Sequence, residues 1–194
     1  AGLKTFADIA RFKDKHGGKI YGIEPGSGAN TDIQKMIDTN RFGLGGFKLV
    51  ASGEAGMLAA VQRAVNRKEF VVFVGWTPHP MNINMKMAYL TGSEDVFGAN
   101  EGMATVSTVT APDYAERCPN VTRLLENLTY TAAQESQLMV PNMERTTPQD
   151  VAKQWPRDNT EDLQRWVAGV TTLDGRDGVA AVEADLKPRR QHGR

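Results

Sequence analysis

The chain has 194 residues, long for one domain and short for two, so one domain or a pair of small lobes is expected. Its 23 Lys and Arg balance its 23 Asp and Glu, which removes the electrostatic argument for nucleic acid or an anionic membrane surface. The lone Cys118 excludes an internal disulfide, and His16, His79 and His192 lack metal-ligand spacing. No apolar run reaches the roughly 20 residues of a membrane span.

Taken in order, Leu3–Lys15 has the apolar recurrence of a helix, stopped by Gly17-Gly18. This opening already carries an amphipathic pattern, so no leader is read in it. Lys19–Ile23 (KIYGI) is a predicted strand, Glu24–Ala29 (EPGSGA) a small-residue loop, and Asn30–Asn40 a helix with Asn30 as its N-cap. Phe47–Val50 is a second strand. Ser52 caps a helix whose inward stripe is Met57, Leu58, Val61 and Val65. Phe70–Val74 (FVVFV) is a third strand, continuous enough in apolar character to be buried on both faces. This β-α-β-α-β alternation predicts a parallel sheet with right-handed crossovers and helices on its faces.

Beyond Trp76 the pattern loosens. Met81–Leu90 reads as an extended crossing segment and Ala104–Thr110 (ATVSTVT) as a β-rich run. Helices are predicted at Val121–Leu128, Ala132–Met143, Pro148–Gln154 and Thr160–Val170, with Gly178–Leu186 weakly helical. Trp155 and Trp166 fall in helical patterns and read as packing residues. The last stretch, Lys187–Arg194, has no apolar residue and reads as a disordered basic tail.

Two features suggest a site. The loop Glu24–Ala29 joins a strand to a helix, and free backbone N–H groups at a helix N-terminus suit an anionic group, with the Ser27 hydroxyl as an added donor. An ordinary βα turn uses the same residues, and neither a dinucleotide fingerprint nor a phosphate loop is present. Trp76 follows the third strand after Gly75. It either covers the core at a turn or meets a ligand at the carboxyl edge of the sheet, where the glycine loop also lies. Together, an anion cradle and an aromatic face suit a small zwitterion, and tryptophan is the best ring for a quaternary ammonium. No nucleophile elbow or Cys–His pair supports catalysis. His79 is the one tempting general base, but between Pro78 and Pro80 it reads as a packing or hydrogen-bonding residue beside the site.

The segments KIYGIEPGSGAN, SGEAGMLAAVQRAV, VVFVGWTPHPMN, LTGSEDVFG and WVAGVTT occur in order over nearly the whole chain. Together they resemble the substrate-binding proteins of bacterial ABC importers for quaternary amines: glycine betaine, proline betaine, choline and carnitine. The resemblance implies a periplasmic-binding-protein-like (type II) α/β fold and a non-catalytic receptor without metal or cofactor. It further implies delivery of the solute to a membrane permease and ATPase, and a periplasmic or otherwise extracytoplasmic location. Trp76 is then a cage aromatic, Ser27, Gly28 and Ala29 hold the polar end of the ligand, and His79 joins the ligand-binding set. Ser27 stands where choline receptors carry asparagine, which favours a betaine-type ligand over choline. A ligand-sensing regulatory domain of the same fold is the other reading.

Family members are longer. The chain looks like their C-terminal portion. The resemblance implies that the stretch supplying the first strands of the other lobe, most cage aromatics and the export signal is expected to lie outside it. The expected organisation is a ligand-binding α/β lobe over residues 1–85, a hinge crossing and mainly helical return over 86–186, and the tail at 187–194. The second lobe is expected to be incomplete. Apolar surface beyond about Met85 should then be uncovered, and association of two copies through it is one way to bury it.

Overall fold

The structure, a computed structural model, describes residues 2–186; the predicted basic tail lies outside the described residues. Helices α1 (Phe6–Arg11), α2 (Gly28–Asp38) and α3 (Gly53–Asn66) alternate with strands β1 (Lys19–Gly22) and β2 (Lys48–Ala51). Short helices α4 (Met81–Asn84), α5 (Glu94–Phe97) and α6 (Ala99–Gly102) follow. The chain ends in α7 (Tyr114–Arg117), α8 (Pro119–Asn127), α9 (Ala132–Met143), α10 (Pro148–Asp158), α11 (Thr160–Trp166) and α12 (Gly178–Leu186). Among the described residues no helix is long and apolar enough to cross a membrane.

The chain divides into two compact units. One comprises Ala1–Trp76 with Lys86–Thr105; the other comprises Thr77–Met85 with the chain from Val106 onward. The chain passes from one unit to the other after Trp76, and Lys86–Thr105 belongs to the α/β unit. Thr5 and Thr91 form a parallel bridge that ties this returning segment to the start of α1.

In the α/β unit, β1 and β2 pair in parallel with Tyr21 opposite Val50. On its other side, Tyr21 bridges Phe73 in parallel, its N–H donating to Val72 O at 2.9 Å and its C=O accepting from Val74 N–H at 2.8 Å. The regular sheet is thus β1 and β2 alone, and the expected third strand joins it only through the one parallel bridge at Phe73, on the side of β1 away from β2. That third strand is slighter than expected, and it is not buried on both faces: Phe70 is 38% exposed and Val71–Val74 are half-buried.

Right-handed crossovers running in opposite directions from this order put α2 and α3 on opposite faces. The apolar spacing agrees. Ile33, Met36 and Ile37 of α2 join Ile9, Ile20, Leu44 and Phe47 in one core, while Met57 and Val61 of α3 are buried outside that cluster. Of the predicted α3 stripe, Leu58 is half-buried and Val65 is 46% exposed, because it lies in the last turn. At the front of α1, Thr5 and Asp8 form a capping box; the Asp8 carboxylate accepts from the Thr5 N–H at 2.9 Å and the Lys4 N–H at 3.1 Å. These backbone bonds, the Thr5 bond first, lower the Asp8 pKa to about 2.

The second unit is helical, and Met81, Val151, Leu163, Trp166 and Val167 are buried. The Trp166 indole N–H donates to Thr129 O at 3.2 Å, and its ring lies 4.9 Å from that of Tyr130. Thr131 caps α9 and Thr147 caps α10, which explains why the sequence marks both starts. Helix α10 runs past the predicted end at Gln154 because Pro156 removes one N–H without ending the helix. Ala104–Thr110 is not a strand: it has no ladder partner, and Val106 and Val109 are 97% and 90% exposed. A β-rich composition forms a strand only beside another strand, and none among the described residues is there.

Candidate ligand-binding site

The carboxyl ends of β1 and of the strand through Phe73 are neighbours on one edge of the sheet. The connection from β1 leads into α2, and α3 enters the strand through Phe73 at its amino end. Open α/β sheets hold ligands outside the carboxyl ends of their strands. The loop Glu24–Ser27 leaves one strand there and Trp76 leaves the other.

The loop is a tight turn with Pro25 and Gly26 at its centre: the Ser27 N–H donates to Glu24 O at 3.1 Å, and Gly26 has φ 86°. A residue with a Cβ rarely adopts that φ, while proline ahead of it is pre-set for the turn. Ser27, not Asn30, is the N-cap of α2; its Oγ accepts from the Asn30 N–H at 3.3 Å. Sequence alone placed the cap three residues late because both types cap well. With the Ser27 lone pair used in this way, its hydroxyl proton remains as a donor. Among the described residues the Gly28 and Ala29 N–H groups have no acceptor within the protein. The loop therefore presents the two-amide arrangement that an anionic or carbonyl oxygen needs, at the positive end of an 11-residue helix.

Two groups fix the loop from beneath. The Asn30 side chain is 4% exposed; its Oδ1 accepts from the Ile23 N–H, and its Nδ2 donates to Ile23 O and Glu24 O, all at 3.0 Å. The Glu24 carboxylate accepts from the Glu54 N–H at 3.0 Å, at the start of α3. That bond, with one from its own N–H, holds the Glu24 carboxyl below the ordinary glutamate value. Glu24 therefore does the capping expected of Ser52, whose side chain makes no cap bond.

Trp76 is half-buried. It lines a cavity of about 420 Å³ in the α/β unit, together with Ala29 and the core residues Ile9, Ile20, Met36 and Leu44. Ser27 and Gly28 lie outside that lining, Ser27 half-buried and Gly28 exposed. The remaining walls are largely apolar, with Ile23, Val74, Met87 and Tyr89 among them. Tyr89 and Asn30 are the residues sequence reasoning missed. Tyr89 sits in a segment with no clear periodicity, and Asn30 looked like a cap.

His79 is placed differently. It belongs to the helical unit, is 2% exposed, accepts the Met81 N–H on Nδ1 at 3.0 Å, and donates its own N–H to Ser136 Oγ at 3.1 Å. Its ring is an interior brace for the segment that follows Trp76.

A profile of the substrate-binding domain of ABC-type glycine betaine transport systems matches residues 1–158. The chain is 28% identical over 156 residues to the glycine betaine/carnitine transport binding protein GbuC of Listeria monocytogenes, covering 80% of this chain and 51% of that protein. It is 47% identical to an ABC-transporter choline-binding protein solved with choline, at a TM-score of 0.71, covering 95% of this chain and 64% of that one. Lactococcal OpuAC, solved closed with glycine betaine, shares the fold at 22% identity and a TM-score of 0.62, covering 86% of this chain and 63% of that one. The chain thus spans about half the length of the curated relative and under two thirds of those two structures. It belongs to the family of substrate-binding domains of ABC-type glycine betaine transport systems.

Proposed function

We propose that this chain forms the solute-holding part of a receptor that captures a quaternary ammonium compound and passes it, unchanged, to the permease and ATPase of an ABC importer on the extracytoplasmic side of the membrane. One observation supports this above others: Ala29, beside the glycine loop, and Trp76, after the strand through Phe73, border the same cavity. An indole face and two open amides match the two ends of a betaine, a methylated ammonium and a carboxylate. In this reading Trp76 contacts the cation, Ser27, Gly28 and Ala29 serve the polar end, and His79 contributes by anchoring the segment beyond Trp76. The site needs no metal or cofactor.

Choline is the second reading, favoured by the 47% identity to the choline-binding protein. The loop discriminates between the two. Amide N–H groups and a hydroxyl proton are all donors, and a carboxylate accepts more of them, and more strongly, than an alcohol. Titration of the chain with glycine betaine and with choline, followed by NMR at the Gly28 and Ala29 amides and the Trp76 indole, tests both. Glycine betaine is expected to shift all three resonances at millimolar concentration, and choline chiefly the indole. Shifts with neither compound overturn the reading.

A further inference from the structure

We propose that Asn30 is a positioning residue for the acceptor-binding end of the site, an inference that rests on the quaternary-amine reading above. Asn30 faces away from the ligand side of the loop. Its carboxamide instead closes a cycle of three bonds on the two residues where β1 turns into the loop: Ile23 N–H in, Ile23 O and Glu24 O out. Both amide protons and the oxygen are thereby used, in a site only 4% exposed. Its backbone N–H goes to Ser27 Oγ, and the Thr31 N–H and hydroxyl both donate to Ser27 O at 3.0 Å. Ile23, Glu24 and Ser27 are thus tied down, while the Gly28 and Ala29 amides, between these anchors, remain without an acceptor among the described residues. A network satisfied on one side and open on the other fixes the direction in which the open donors point. Donors held in place before binding lose less freedom when an anion arrives.

The sheet is built to admit this side chain. A Cβ on Gly22 would overlap Asn30 Oδ1 and come within 2.9 Å of Leu49 Cδ1. Gly22 thus keeps open the space in which the carboxamide sits, and Gly22→Ala displaces it from a position outside the loop.

The test separates the two ends of the ligand. Glycine betaine carries a carboxylate and a cation; tetramethylammonium carries the cation alone. Asn30→Ala and Gly22→Ala are expected to weaken glycine betaine by roughly tenfold or more, the loss of a charge-assisted hydrogen bond, and to leave tetramethylammonium binding as in the wild type. Gly22→Ala retains the carboxamide and serves as the readout should Asn30→Ala not fold. A merely structural role would lower the unfolding midpoint and leave both affinities alone, or weaken both ligands equally; either result overturns the proposal while the wild type still binds. A wild-type chain that binds neither compound overturns the reading of the site itself.

Discussion

The Glu24 carboxylate and the Glu54 N–H, 30 residues apart in sequence, are joined at 3.0 Å, so the loop after β1 closes the N-terminus of α3. A carboxylate there satisfies an open amide and meets the positive end of the helix dipole. The same bond lowers the Glu24 pKa. A carboxyl whose folded pKa is depressed stabilises the fold above its unfolded value, and that contribution is lost as pH falls through the folded value. Acid unfolding should therefore gain a component below the ordinary glutamate pKa of 4.5. Glu24→Gln keeps an acceptor but not the charge, and should flatten that limb of the denaturation midpoint against pH. An unchanged acid limb in the variant would show that the bond does not persist in solution.

His79 is expected to matter for stability and not directly for ligand contact. Removing its ring deletes the acceptor of the Met81 N–H and leaves a gap in a site only 2% exposed. His79→Ala should cost about 2–4 kcal/mol in urea denaturation. Asn can place an oxygen near the position of Nδ1, so His79→Asn should recover about 1 kcal/mol of that. A His79→Ala protein as stable as the wild type, with weakened ligand binding, would return His79 to the ligand set.

The sheet was legible because its signals are local. Apolar runs at Ile20 and Val72–Val74, separated by helical periodicity, leave few topologies once crossovers are right-handed. Helix α9 was readable to its ends because Thr131 and Gln134 form a capping box there. What the sequence hid depends on contacts between distant residues. Nothing near Glu24 shows that it caps α3, and nothing near His79 shows that Ser136 lies above it. The unpaired state of Ala104–Thr110 is likewise a matter of what stands beside it, which composition does not encode. Trp76 and Ala29 could be placed on one edge from sequence because both follow parallel strands, and both line one cavity.

The exposed run after Phe97 gives a prediction about association. Met103, Val106 and Val109 are 77%, 97% and 90% exposed, and no Lys, Arg, Asp, Glu or Pro interrupts residues 103–111. Uncharged, β-branched, unpaired backbone favours pairing with another chain. The chain is expected to elute larger than a monomer as its concentration rises, in size-exclusion chromatography with light scattering. The double variant Val106→Lys, Val109→Lys should elute as a monomer across the same range. A wild type that stays monomeric throughout contradicts this.

Trp76 offers the sharpest test of the site. Its ring is half-buried, and it borders the cavity that Ala29 also lines. If it faces a ligand cation, Trp76→Ala should weaken glycine betaine and tetramethylammonium alike, since both carry the methylated ammonium. The interaction itself is worth roughly 0.5–2 kcal/mol, and packing lost around the ligand adds to that. Trp76→Phe keeps a smaller π face and should fall between the two. This pattern differs from that of Asn30→Ala, which separates the two ligands. Stability should change less than for a buried core residue. Trp76 is half-buried and is not among the residues packed against the cluster of Ile9, Ile20, Met36 and Leu44, although these line the same cavity. Calorimetric titration beside thermal unfolding decides between the roles. A variant that binds as before, or one that simply unfolds, makes Trp76 a core residue, and the cation end of the site must then lie elsewhere.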